Sequence, residues 1–383
     1  MEHLINPKVK DLSISGIRTF FNLVAKYDDV ISLTIGQPDF PTPDGVKEAA
    51  KRAIDDNFTS YTHNAGFFEL RKAACEFLNR QYRLSYSPED EVIVTTGASQ
   101  AIDVALRTIL EPGVDVLLPG PVYPGYEPLI RLAGANPVHV NTTQKGFKLT
   151  ADLIEAHLSE KTRCIILPYP SNPTGVTLTV QELMDIATLV KGKNIFILSD
   201  EIYSELVYSQ KHVSIASFLR EQTIVVNGLS KSHSMTGWRI GFLFAPKELT
   251  KHMLKVHQYN VSCASSVSQM AAYDAITNGI DEPIKMKEEY KKRLEYAYDE
   301  LKQLGFQVVK PDGAFYLFPS VPNPNVSSFD FAVDLVEKTG VAVVPGSAFS
   351  ADGEGFFRLS YAYSMEQLEE AFARMKRYVY SSK

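Results

Sequence analysis

Seven short apolar runs rich in Val, Ile and Leu recur between about residue 45 and residue 245. They are "EVIVTTG", "DVLLPG", "NPVHVNT", "RCIILPYP", "NIFILSDE", "TIVVNGLS" and "RIGFLFAP". Between most of them lie ten or more residues with apolar positions at helical spacing, as in "SQAIDVALRTIL" and "TVQELMDIATLVKG", the second followed by a glycine that can end it. Strand, helix, strand repeated in this way predicts an α/β chain whose mostly parallel sheet is covered by helices on both faces. In such sheets ligands gather outside the carboxyl ends of the strands.

The unusual residues fall at those ends. Gly97 to Gln100 follow "VIVTT", Tyr123 follows "VLLPGP", Asn172 follows "CIILPYP", Asp200 ends "IFILS" and Lys231 follows "TIVVNGLS". Five loops are therefore expected to meet on one rim. After residue 280 the pattern changes to a charged helix, "IKMKEEYKKRLEYAYDELKQLG", then "FQVVKPDGAFYLFP", a helix "FDFAVDLVEKTG", strand-like "VAVVPG" and "FFRLSYA", and a closing helix "MEQLEEAFARMKRYV". This predicts a smaller α+β domain from residues 281–383, with residues 1–44, too irregular to stand alone, packed on it; residues 45–280 form the large domain.

A chain of 383 residues with 45% hydrophobic and 22% charged residues has the composition of an ordinary globular protein. Its net charge of −6 supplies no basic stripe, which argues against a nucleic-acid partner. Cys75, Cys164 and Cys263 show no C-x-x-C spacing and read as free thiols of a reducing cytoplasm. No tight His/Cys cluster or H-E-x-x-H points to a metal, and no signal-peptide core or membrane-length apolar run is seen, so a cytoplasmic protein is expected.

A lysine becomes a nucleophile toward carbonyls when burial or a nearby cation encourages loss of its proton. Lys231 follows an apolar strand and lies eight residues before Arg239. Taken alone it reads as a solvated loop residue; its companions change that. Pyridoxal phosphate chemistry also needs a carboxylate that keeps the pyridine nitrogen protonated. Asp200 is placed for this, or else it caps a following helix. The stretch Gly97, Ala98, Ser99, Gln100 opens a helix whose free amides suit a phosphate, with Ser99 and Arg239 adding charge-assisted bonds; the same pattern occurs for packing alone. Asn172 sits in a stiff loop, as a simple turn or as a donor to the cofactor's phenolic oxygen beside Tyr203. Tyr123 reads as a ring-stacking or a core aromatic. Arg358, a lone cation in an apolar strand, calls for an anionic partner, either a carboxylate of the protein or that of a substrate.

Taken together, "GQPDFPTP", "TTGASQA", "PGPVYPGY", "SNPTG", "SDEIY", "SKSHSMTGWRIG" and "FRLSYA" resemble, in that order, the class I/II pyridoxal-phosphate aminotransferases. The chain looks most like the bacterial branch of aspartate, aromatic and N-acetyl-diaminopimelate aminotransferases. The resemblance implies fold-type I architecture, pyridoxal 5'-phosphate as cofactor, amino acid and 2-oxo acid substrates, and a homodimer with active sites at the subunit interface. It makes Lys231 the Schiff-base lysine and proton carrier, Asp200 the partner of the ring nitrogen, and Asn172 and Tyr203 the donors to the phenolic oxygen. Tyr123 would stack on the ring. Gly97, Ala98, Ser99, Gln100 and Arg239 would hold the phosphate, with Tyr61 from the other subunit. Arg358, Asn172 and the amide of Gly36 would bind the substrate's α-carboxylate. Some relatives carry a serine three residues before the lysine, where this chain has Gly228; Ser230 is the expected substitute.

Two other activities stay open at the level of sequence. A carbon–sulfur lyase shares the lysine and aspartate on the same scaffold. A ligand-sensing regulatory module would need a DNA-binding segment, and residues 1–44 show no basic helix-turn-helix pattern. His233 reads as a loop residue near the lysine, and Arg18 as a salt-bridged residue or a reader of a distal carboxylate.

Overall fold

The computed structural model describes residues 1–381. Short N-terminal helices and a two-residue strand, β1 (Ile31–Ser32), precede the seven apolar runs, every one of which forms a strand. These are β2 (Val92–Thr95), β3 (Asp115–Gly120), β4 (Asn136–Asn141), β5 (Thr162–Leu167), β6 (Phe196–Asp200), β7 (Thr223–Gly228) and β8 (Gly241–Phe244). They make one sheet in the order β2-β8-β7-β6-β5-β3-β4. All its strands run parallel except β8, which is antiparallel to both β2 and β7.

The apolar runs are continuous because both faces of the sheet are covered. Along β5, Cys164 and Ile166 enter the core on one side while Ile165 and Leu167 enter the core on the other. In β7, Ile224 and Val226 alternate with Val225 in the same way. The covering helices start and stop where local chemistry directs. In the helix Val180–Val190, Thr179 and Glu182 form a capping box, and the helix buries Leu183, Ile186, Ala187 and Val190. Burial of a Leu or Ile contributes roughly 1.5–3 kcal/mol, so this face, more than helix propensity, holds the helix on the sheet. Gly192, at φ +77°, lets the chain turn away from its end.

The C-terminal part has four short strands, β9 (Tyr316–Leu317), β10 (Val341–Ala342), β11 (Val344–Pro345) and β12 (Phe357–Ser360), with helices Glu282–Gln303, Ser328–Thr339 and Met365–Ser381. Strands β11, β12 and β9 form an antiparallel sheet, and β10 pairs in parallel with β1. "VAVVPG" is thus divided between two sheets. "FQVVKPDGAFYLFP" gives only two strand residues, because Ala314, two residues before the first of them, adopts a left-handed φ of +56° and breaks the extended run. Phe20, Val24 and Leu33 share one core with the C-terminal helices, so the N-terminal segment is packed where its lack of a core of its own requires. No helix among the described residues is long and apolar enough to cross a membrane.

Candidate active site

Because β2, β3, β5, β6 and β7 run the same way, the residues just past their carboxyl ends converge on one rim. Lys231 is half-buried there. Its Nζ donates to the Gly36 carbonyl at 2.6 Å and stands 5.7 and 5.9 Å from the ring centres of Tyr203 and Phe315. Burial, with help from the positive charges of Arg358 and Arg239, lowers its pKa from 10.5 to about 8; Asp200 opposes the shift. The amine is therefore partly neutral near neutrality, as a nucleophile must be.

Asp200 ends β6 and is buried. A turn follows it, so the helix-capping alternative is excluded: its Oδ1 accepts from the Ile202 amide at 3.2 Å. Its Oδ2 accepts from the Tyr126 hydroxyl at 2.6 Å. Burial pushes the carboxyl pKa up, and the Tyr126 hydrogen bond holds it down. Tyr126 also packs edge-on against Tyr123, with ring centres 5.6 Å apart, and so steadies a half-open ring beside the carboxylate.

The helix Gly97–Ile109 begins at the end of β2 without a side-chain cap from Thr96. Its opening is built around Arg239. Gly97 has φ +77°, and a Cβ there would lie 2.7 Å from Arg239 Nη2. Arg239 is itself in the left-handed region at φ +52°. It donates to the Thr236 carbonyl at 3.0 Å, and no carboxylate pairs with it among the described residues. The amides of Ala98, Ser99 and Gln100 belong to this first turn, and the Ser99 side chain is exposed. The Gln100 side chain turns back to accept from the Thr96 amide at 2.6 Å, so only its backbone faces an anion. Ser230 is buried beside the lysine. Gly228 lies in a crowded place: a Cβ would meet the Ile240 carbonyl at 3.1 Å and Gly241 Cα at 3.2 Å, which explains why a side chain is missing there.

The other end of the site is a buried cation. Arg358, on β12 and 2% exposed, donates from Nη1 to Asn172 Oδ1 at 2.9 Å and from Nη2 to the Thr34 carbonyl at 2.6 Å. Its guanidinium lies 4.5 Å from the ring centre of Tyr316 and 5.0 Å from that of Phe349. Its Nε is buried without a partner, and no Asp or Glu pairs with it among the described residues. Tyr203 is buried, and its hydroxyl is 2.8 Å from that of Tyr316.

Several expectations are refined by this arrangement. His233 lies in the loop after β7, as expected, but it is buried, bonds the Ser232 hydroxyl and the Gly279 carbonyl, and burial lowers its pKa to about 4, so it is neutral. Arg18 is exposed with no ion pair among the described residues, against the salt-bridge reading. Cys75 and Cys164 are buried free thiols, and Cys263 is half-buried. Tyr61 is 86% exposed on its own chain. Tyr126, Tyr316, Thr34 and Phe349 were missed by sequence reasoning; only Tyr126, three residues beyond Tyr123 in "PGPVYPGY", left a signal.

These residues fit pyridoxal phosphate. An uncapped helix start beside an Arg239 that no carboxylate pairs among the described residues is a cradle for a dianion, a buried carboxylate can face a ring nitrogen, and a lysine of lowered pKa feels the charges of both Arg239 and Asp200. No group of three or more His, Cys, Asp or Glu residues able to hold a metal is found among the described residues.

Comparison with known proteins agrees with the geometry. The family described as aminotransferase class I and II matches residues 28–375. A probable N-acetyl-LL-diaminopimelate aminotransferase of Bacillus subtilis (strain 168) is 63% identical over 379 residues, covering 99% of this chain and 96% of that protein. An aspartate aminotransferase of Pyrococcus abyssi is 40% identical, covering 98% and 96%. Among solved structures, the Thermus thermophilus aspartate aminotransferase with maleate superposes with a TM-score of 0.93 at 34% identity, covering 97% of this chain and 99% of that one. The chain belongs to the class I and II aminotransferases, fold-type I enzymes that work with pyridoxal 5'-phosphate.

Proposed function

We propose that this enzyme moves the amino group of an L-amino acid to 2-oxoglutarate in two half-reactions at Lys231, with N-acetyl-LL-diaminopimelate the first donor to try. The observation that carries the reading is Arg358, a buried guanidinium with no carboxylate partner among the described residues, on the same site as a lysine whose pKa is lowered to about 8. A planar fork is well shaped for a substrate's α-carboxylate, and Asn172 and the Gly36 amide would complete its grip. The choice of donor is supported by the name of the 63% identical relative.

Bound pyridoxal phosphate supplies an electron-poor ring that takes up the electron pair of the substrate's α carbon. Lys231 Nζ would hold the cofactor through its aldehyde carbon, and the same nitrogen, when free, would be the base that takes the proton from the substrate's α carbon. Asp200 would keep a proton on the ring nitrogen, and the Tyr126 hydrogen bond favours its charged form against the burial that opposes it. Tyr203 and the Asn172 amide hydrogens, left free because Asn172 Oδ1 is taken by Arg358, would donate to the phenolic oxygen. Tyr123 covers the ring. Gly97, Ala98, Ser99 and Gln100 through their amides, Arg239 through its guanidinium and Ser230 through its hydroxyl hold the phosphate. Tyr61, too exposed to serve its own chain, reaches the site of a second copy in a homodimer. The large domain spans residues 45–280, with 1–44 and 281–383 forming the small one.

A panel of amino donors with 2-oxoglutarate tests this. Glutamate formed from one donor class, with parallel initial-rate lines, is expected of a ping-pong transaminase. Keto acid released steadily without any acceptor would show elimination instead.

A further inference from the structure

Tyr316 is fully buried on β9, paired with Ser360 two residues beyond Arg358. Three parts of the site meet on it. Its ring lies 4.5 Å from the Arg358 guanidinium, its hydroxyl is 2.8 Å from that of Tyr203, and a Cβ on Gly36 would stand 3.0 Å from the same hydroxyl. Gly36 is also the residue whose carbonyl receives Lys231. The backbone aims the ring at this junction through strain. Ala314, two residues earlier, is held at φ +56° by its amide bond to the Leu206 carbonyl and by its own carbonyl, which accepts from Tyr361 at 3.2 Å and from Tyr208.

A phenylalanine would fill this space and carry the guanidinium equally well. A buried hydroxyl costs free energy unless it is bonded, so the hydroxyl is the part that calls for a role. Tyr203 has one proton and Tyr316 has one. If Tyr203 gives its proton to an anionic phenolic oxygen, its own oxygen is left to accept, and Tyr316 makes no other hydrogen bond among the described residues. The Arg358 guanidinium lies nearer the Tyr316 ring, at 4.5 Å, than Lys231 Nζ does to the Tyr203 ring, at 5.7 Å, which favours Tyr316 as the donor of the pair.

We propose that Tyr316 is a positioning residue that acts through Tyr203: its hydroxyl donates to Tyr203, which strengthens the Tyr203 bond to the cofactor's phenolic oxygen, while its ring supports Arg358. This rests on Tyr203 being that oxygen's donor. Without the Tyr316 hydroxyl the phenolic oxygen is less well neutralised, and the proton shared with the Lys231 nitrogen is held more tightly.

The test is a pH titration of the visible absorbance of the holoenzyme. Tyr316→Phe is expected to raise the midpoint by at least about 0.3 pH unit, a twofold change in proton affinity, and to leave KM within about threefold because the ring remains. Tyr203→Phe should raise the midpoint further, and the double variant no further than Tyr203→Phe alone. Thermal unfolding verifies that each variant is folded, and Tyr316→Leu serves the same titration if Phe is not. An unmoved midpoint in Tyr316→Phe beside a raised one in Tyr203→Phe, or additive shifts in the double variant, overturns the proposal and leaves the Tyr203 assignment intact. No shift in Tyr203→Phe removes that assignment and the relay with it.

Discussion

The Lys231 end of this site stands on the strand ends of one sheet, whereas the Arg358 end joins that guanidinium to Thr34, 324 positions away, and to Asn172 and Tyr316. At the first end the backbone does the placing. Asp200, Lys231 and the Gly97 turn arrive on the rim because their strands are parallel, and each carries a charge or dipole that the fold must tolerate. At the second end side chains hold one another: Asn172 and Thr34 take the guanidinium's hydrogens while Tyr316 and Phe349 flank it. The rim therefore separates into residues with individual chemical effects, and the wall behaves as a unit.

The largest effect belongs to the rim. Asp200→Asn removes the charge that we propose faces the ring nitrogen; two unit charges 4 Å apart at an effective dielectric near 20 attract by about 4 kcal/mol, so kcat should fall on the order of 1,000-fold. A loss under tenfold, measured with a saturating donor, would break the distinction between the two ends. Next comes the wall. Arg358→Lys keeps the charge and loses the fork, and charge-assisted hydrogen bonds contribute about 1.5–3 kcal/mol, so kcat/KM should drop by roughly 10- to 150-fold for every donor alike. Combined with Asn172→Ala the losses should be less than additive, as expected of a unit.

The fold was legible where burial is two-sided. Each of the seven runs of the large sheet shows in the sequence because neither face of those strands meets water. The strands of the C-terminal part are mostly two residues long and take their partners from remote segments, so no periodicity marks them. The rim residues were legible for a related reason: a polar residue ending an apolar run stands out. Tyr316 did not, and Tyr126 showed only by its place beside Tyr123, because what matters is a hydroxyl whose partner lies 74 or 113 positions away. Their rings look like core.

Two smaller effects sharpen the comparison. Folding lowers the Lys231 pKa from 10.5 to about 8, so between those values the folded protein binds fewer protons than the unfolded chain and its stability rises with pH. Below that window the charged amine is destabilising in full. Lys231→Met should therefore stabilise the cofactor-free protein by about 3 kcal/mol at pH 7, an advantage that fades as pH climbs through the window, as read from denaturant unfolding. A destabilised variant would show that the rim is not stressed. Tyr126→Phe removes the bond that holds the Asp200 carboxyl pKa down, so that pKa rises and the acid limb of the kcat profile moves to higher pH, with about a fivefold loss at its former plateau edge. An unmoved limb would place Tyr126 in packing alone.

The central claim is that Lys231 is the attachment point of the cofactor at a strand end of the large sheet. Borohydride reduction of the yellow holoenzyme followed by peptide mapping tests it most directly. The account predicts one pyridoxyl group, on Lys231, in the peptide that follows β7. A colourless protein after incubation with pyridoxal phosphate, or a label on any other lysine, would contradict it.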